Sequence, residues 1–179
     1  GAFSKWSQMS LQSLEGVPWS HYKHAYGWAS DVPGQLKALL RPQTSLEAYE
    51  ALLFNIVHQG TRYQAAIPAI AVLVEMLPHA PKPERIVHLL SYIAVGYDEG
   101  YLVSGFDPAW LDGPWPDKIN PDDPFDSGNA RADWDRLGLG PEVDYRCYWA
   151  ILEQMEGILS AFDSMPSLRA SLAHLLAWF

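Results

Sequence analysis

Apolar residues in this chain recur at three- and four-residue spacing over most of its length. That period lets helices bury one face each, and it suits little else. Leu36, Leu39 and Leu40 share a face, as do Leu46, Tyr49, Leu53, Ile56 and Val57. So do Ile70, Leu73, Val74 and Leu77, and then Ile86, Leu89, Leu90 and Ile93. Beyond position 144 the spacing returns in Tyr148, Ile151, Leu152, Met155, Ile158 and Leu159, and again in Leu168, Leu172, Leu175, Leu176 and Phe179. There is no sustained apolar–polar alternation and no Asn-Gly pair, so strand and hairpin signals are weak. At 179 residues the chain suits one domain with a substantial core.

Local signals place the ends of these helices. A short helix is expected over 19–26, closed by Gly27. Asp31 suits the cap of the next, with Pro33 tolerated in its first turn. Thr44-Ser45-Leu46-Glu47 has the capping-box pattern, and the helix it opens is expected to stop at Gly60 with a left-handed backbone. Thr61-Arg62-Tyr63-Gln64 repeats the pattern and is expected to open another helix, bent or distorted by Pro68. The run "PHAPKP" reads as a turn, after which Pro83 sits where a first-turn proline belongs. The chain reaches Phe179 while its last helix is still apolar, which fits either a continuing natural chain or a blunt cap.

The helical period breaks over 100–141, where Gly, Pro and Asp crowd together; a short helix is expected there only over 130–137. Segments of this length without structure of their own are usually functional or disordered. Charge concentrates in the same place. Positions 98–144 hold twelve acids and three bases, a balance of −9 that equals the net charge of the whole chain. The remaining nine acids and nine bases cancel. Such a field disfavours nucleic acid and favours a basic protein partner. Phe106, Trp110, Trp115, Phe125 and Trp134 lie among those acids, and aromatic anchors beside carboxylates suit a docking surface.

Several classes are disfavoured. Cys147 is the single cysteine, so neither an internal disulfide nor a cysteine-rich metal site is possible, and a reducing, cytoplasmic home is expected. The longest apolar run, 65–77, contains Pro68 and Glu75 and is too short to span a membrane. No basic region leads into an apolar core near the amino terminus.

His58-Gln59-Gly60 resembles chemistry at first sight. A general base needs a second group within reach, and no Ser-His-Asp or Cys-His pattern points to this place, so a corner between helices is the expectation. His21 and His24 would share a face of a helix over 19–26, with Asp31 nearby, and two histidines and a carboxylate suit zinc. No other ligands complete a first shell, so neither metal nor cofactor is expected. The acidic run 122–129 lacks the alternating ligands of a calcium loop. Asp107 with Asp112, or Asp133 with Asp135, could be paired glycosidase carboxylates, but a helical-repeat scaffold gives that no support. His79, His88 and His174 read as packing or surface residues.

The layout is one of helix pairs with short corners, beginning near Trp19, Leu46 and Glu84 at uneven intervals of roughly 27 to 38 residues, as stacked two-helix repeats would give. The stretches "HAYGWASDVPGQLKALL" and "ALLFNIVHQGTRYQAAIPAIAVLVEML" resemble bacterial HEAT-repeat-like proteins. That family implies a Tyr-Gly-x-Ala-x-Asp-Val-Pro corner before a short helix and a His-Gln-Gly corner between the helices of the next repeat. The tail "SMPSLRASLAHLLAWF" is similar to the start of a HEAT repeat, with Arg169 in a typical place. The resemblance covers 19–94 and 146–179. It implies a fold subgroup and protein-binding scaffolds, occasionally nucleic-acid-binding ones, and no particular reaction.

The expectation is therefore an all-α single domain over 3–179. It comprises about three HEAT-like antiparallel helix pairs in a short α-solenoid, with an acidic loop insertion over 100–141. The expected function is a non-enzymatic protein-binding scaffold, in its concrete form an immunity protein that neutralises a basic toxin. Asp107, Trp110, Asp112, Trp115, Asp117, Asp122, Asp123, Asp126 and Trp134 would form the partner surface. Neither nucleic acid nor membrane is an expected partner. The alternative is a hydrolase or a small-ligand or metal-binding protein using His21, His24, Asp31 or His58.

Overall fold

A computed structural model describes residues 11–95, 141–177 and 179. These residues are mostly helical. In chain order the helices are α1 (Val32–Ala38), α2 (Ser45–Asn55), α3 (Ala66–Met76), α4 (Pro83–Val95), α5 (Pro141–Glu153), α6 (Met155–Ser164) and α7 (Arg169–Leu176). Two short hairpins interrupt them: β1 (Lys23–His24) with β2 (Gly27–Trp28), and β3 (Val57–His58) with β4 (Thr61–Arg62). Single 3-10 turns occupy Trp19–His21, Ala29–Asp31 and Pro166–Leu168. No helix among the described residues is long and apolar enough to cross a membrane.

The core gathers around α3. Ala66, Ala69, Ile70, Val72, Leu73, Val74 and Met76 are all buried, so this helix is apolar on nearly every side. A helix of that kind belongs in the interior, and α3 packs against α1, α4, α5 and α6. On the other side, α2 touches α4, and α4 touches α7. Leu36, Leu52, Ile56, Ile86 and Leu89 fill the seams between helices and are fully buried.

The expected helix over 19–26 is not there. Trp19 is buried, with its indole Nε1–H donating to the Leu14 carbonyl at 3.2 Å. After one 3-10 turn the chain becomes extended at Tyr22 (φ −101°, ψ 142°) and forms the first hairpin, with Lys23 opposite Trp28 and His24 opposite Gly27. The reason is tertiary. The Ala25 N–H donates to the Asn55 carbonyl at the end of α2 (2.9 Å), and the Ala65 N–H before α3 donates to the Lys23 carbonyl (3.0 Å). Helix ends leave such groups unpaired, and the hairpin satisfies one from each helix at once. Gly27, at φ 133°, turns the chain where a side chain would be strained.

The second corner differs from expectation in the same way. Helix α2 ends at Asn55, before Gly60, and Thr61-Arg62 forms a strand and not a cap. Gln59 (φ 48°) and Gly60 (φ 82°) are both left-handed, the backbone of a two-residue type I′ hairpin turn. Because α3 begins only at Ala66, Pro68 falls in its first turn, where no N–H is needed, and the expected first half of the helix, over 61–65, is not helical. Neither expected cap side chain accepts a backbone N–H of its own helix. Thr44 occupies the N-cap of α2, but its hydroxyl donates to the Ala38 carbonyl at 2.8 Å, tying α2 to the end of α1. The segment over 100–140, with the helix expected over 130–137, lies outside the described residues.

One close approach fixes the depth at which α6 packs. A Cβ on Gly157 would lie 2.7 Å from Val74 Cγ1, a branched side chain with no room to swing away. Gly157→Ala is expected to lower stability by about 1 kcal/mol, the cost of overpacking less the gain in helix propensity. In a Val74→Ala background the same change should be neutral or stabilising. Urea denaturation of the four proteins of this cycle gives the coupling directly.

Candidate functional site

The two hairpins lie against one another at the end of α2. Their contact is aromatic: Tyr26, at the tip of the first, meets the His58 ring edge-on at 5.6 Å. His58 also meets Phe54 at 6.5 Å, and Tyr26 meets His24 at 6.5 Å. Tyr26 is 71% exposed and Phe54 55%, so the tip of this corner offers rings to solvent.

Beneath the rings runs a chain of polar contacts. The Tyr26 N–H donates to His24 Nδ1 at 3.0 Å. That bond leaves the imidazole proton on Nε2, which donates to Asp31 Oδ1 at 2.8 Å. Gln35 Nε2 approaches Asp31 Oδ2 at 3.4 Å, and Asn55 Nδ2 donates to Gln35 Oε1 at 2.7 Å. Asn55 Oδ1 in turn accepts the Ile56 N–H at 2.6 Å. The chain therefore runs from the first hairpin through α1 to the end of α2, and it holds the Asp31 carboxylate in place from both oxygens. His58 Nδ1 donates to the Phe54 carbonyl at 3.2 Å, in the last turn of α2, where a donor is favoured by unpaired carbonyls. These contacts fix the orientation of both imidazoles.

Of the residues singled out in the sequence, His24 bonds to Asp31, while His58 is linked to His24 only through the intervening Tyr26 ring. His21 does not join them. It is exposed, in a 3-10 turn, and separated from buried His24 by extended backbone, so the two histidines share no helical face. Both ring nitrogens of His24 are engaged. Among the described residues no group of three or more His, Cys, Asp or Glu is gathered to hold a metal ion. Asp107, Trp110, Asp112, Trp115, Asp117, Asp122, Asp123, Asp126 and Trp134 lie outside the described residues.

Sequence reasoning missed Gln35, Asn55 and Arg62. Arg62 is buried and donates through Nη1 to the Gly60 carbonyl at 3.3 Å. Its Nε lies 3.1 Å from Asp144 Oδ1 on α5, within ion-pair distance but misaligned for a hydrogen bond. Nearby Cys147 is buried, and burial pushes its thiol well above the usual range, which makes it unreactive. A second titratable cluster joins α2 to α4: His88 stacks on Tyr49 at 5.6 Å, meets Tyr92 edge-on at 4.6 Å, and hydrogen-bonds through Nδ1 to the Tyr49 hydroxyl. Burial between these rings lowers the His88 pKa. Burial first, and then Tyr92 and Glu50, raise that of Tyr49, with Arg85 opposing. Both are thus neutral near pH 7, with the hydroxyl donating to the imidazole.

Comparison of the chain with models of protein families, with curated proteins and with solved structures yields no match in any of the three.

His24→Ala is expected to cost about 2 kcal/mol, from the lost packing and the orphaned Tyr26 amide. Tyr26→Ala, at the exposed tip, should change stability by less than about 0.5 kcal/mol. Thermal denaturation distinguishes these outcomes from a purely surface role for both. For His88 the folded pKa lies below the ordinary value of about 6.5. Above that range the residue adds no pH dependence. As pH falls through it, the unfolded chain binds a proton that the fold resists, so stability declines. His88→Gln should therefore lose less stability than the parent between pH 7 and pH 5.5, measured by urea unfolding at both.

Proposed function

We propose that this chain is a non-enzymatic protein-binding scaffold built from stacked helix pairs in the manner of HEAT repeats. Its partner is a basic protein, in the concrete case a toxin that it neutralises in the cytoplasm. The observation that carries this is the separation of charge: 98–144 holds the whole net charge of −9, together with several Trp and Phe residues, while the rest of the chain is balanced. Acids speed the approach of a cationic partner and aromatic rings anchor it. Asp107, Trp110, Asp112, Trp115, Asp117, Asp122, Asp123, Asp126 and Trp134 are the proposed contacts.

The helix contacts support the repeat reading. They include two rows, α1 to α3 to α5 and α2 to α4 to α7, with α1 against α2 and α3 against α4, while α4 also packs on α5 and α6 lies on α3, α5 and α7. Two rows of that kind are what stacked pairs produce. The hairpins take the places of the two corners that the resemblance implies, with His-Gln-Gly at the second. One observation favours a second reading, a small-ligand binder or hydrolase: His24 holds Asp31, whose carboxylate stays half exposed, and Tyr26 bridges from His24 to His58.

The test begins with the products of neighbouring genes, purified and titrated calorimetrically into this chain. A basic partner should bind, with affinity falling steeply between low and physiological salt. Changing Asp107, Asp112, Asp117, Asp122, Asp123 and Asp126 to Asn should weaken it by about tenfold or more, slowing association most. His58→Ala should weaken affinity far less than the Asn changes, because His58 only supports the neighbouring Tyr26 and Phe54 rings. A neutral or acidic partner, or full affinity after the Asn changes, contradicts the proposal. Loss of a turnover or of a bound small molecule on His58→Ala, with the fold intact, favours the second reading.

A further inference from the structure

The face formed by α1 and α2 carries a feature that the acidic segment does not explain. An open groove of about 350 Å3 runs between these helices. Gly34, Ala38, Ala48 and Ala51 line it together with Gln35, Thr44 and the two acids Asp31 and Glu47. Four of its eight lining residues are Gly or Ala, which leaves room between the helices for a flat side chain. The two carboxylates differ in how they are held. Asp31 is held by His24 and by Gln35, yet its side chain remains 51% exposed, leaving lone pairs for a further donor. Glu47 is exposed and makes no hydrogen bond or ion pair among the described residues. Lys37 and Arg41, the nearby cations, do not line the groove. Along α2, Glu47, Ala51 and Phe54 share one face, so the groove leads toward the exposed Phe54 ring and on to Tyr26.

We propose that this groove receives an arginine side chain of the basic protein partner. The guanidinium is planar, weakly hydrated and forked. It lies against small apolar side chains more cheaply than an ammonium does, and its edge offers donors to two carboxylates at once. Phe54 and Tyr26 then flank the partner's backbone with rigid aromatic surface. The chemistry of the partner rests on the function proposed above, whereas the groove is a separate site on the helical frame, and separate variants test the two.

The probe is the peptide acetyl-Gly-Arg-Gly-amide, titrated into the full chain and followed by the backbone amide resonances. Saturable shifts are expected at Gly34, Ala48 and Ala51, with the Gly-Lys-Gly peptide binding several-fold more weakly. Glu47→Gln should weaken the arginine peptide about threefold. Gly34→Leu should abolish the shifts. A Cβ on Gly34 meets nothing within 4 Å, and leucine is the better helix former, so this variant fills the groove without endangering the fold. The Asn changes over 107–126 should leave the peptide shifts untouched, even where they weaken the protein partner. Three outcomes overturn the proposal: no shifts on α1 and α2, shifts that survive Gly34→Leu, or equal binding of the lysine peptide.

Discussion

The structure depends on one arrangement of backbone hydrogen bonds. The first hairpin gives its Ala25 N–H to the last turn of α2 and takes the Ala65 N–H from the approach to α3. Both groups lie at helix ends, where the backbone has no partner of its own, and a buried polar group left in that state costs about 1–3 kcal/mol. By meeting both, the hairpin ties the end of α2 to the approach to α3. The second hairpin completes the corner at a cost of its own. Gln59 is left-handed at φ 48°, a conformation about 1–2 kcal/mol above the ordinary one for a residue with a Cβ.

Everything in the candidate site follows from that clip. With Ala25 bonded to Asn55, the hairpin brings His24 up to Asp31 and Tyr26 up to His58. Asn55 serves twice, through its carbonyl to the hairpin and through its side chain to Gln35 on α1. The result is a carboxylate fixed in the lining of a groove, and a pair of exposed rings beside it. Such preorganisation lowers the cost of ordering a site when a partner arrives.

The helices were legible because each has enough turns for its apolar period to show. Pro83 marks the first residue of α4, as its fixed backbone angle and missing N–H suggest. The hairpins were not legible, because their strands are two residues long and carry no alternation. The period of α2 also runs on through Ile56 and Val57, which hides the point where helix gives way to strand. The remaining signal was β-branched Val57 and Thr61 on either side of Gln59-Gly60, a turn pair that lacks the usual Asn. Gly60 was correctly expected to be left-handed, but in a hairpin tip and not at a helix end. At Thr44 and Asp31 the positions were right and the partners wrong, since each side chain bonds to a group brought near only by folding. The convergence of His24 with Asp31 across a hairpin, and of Gln35 with Asn55 across two helices, has no local signature.

The functional account joins two properties that are independent in sequence. On the proposed function, a charge-balanced helical frame supplies shape, and a strongly negative segment supplies long-range attraction to a cationic protein. The most direct test is hydrogen exchange on the full chain, free and in complex with its basic partner. The account predicts added protection concentrated over 98–144 and on α1 and α2 near Gly34 and Ala51. Protection confined to α6 and α7, with those two regions unchanged, would contradict it.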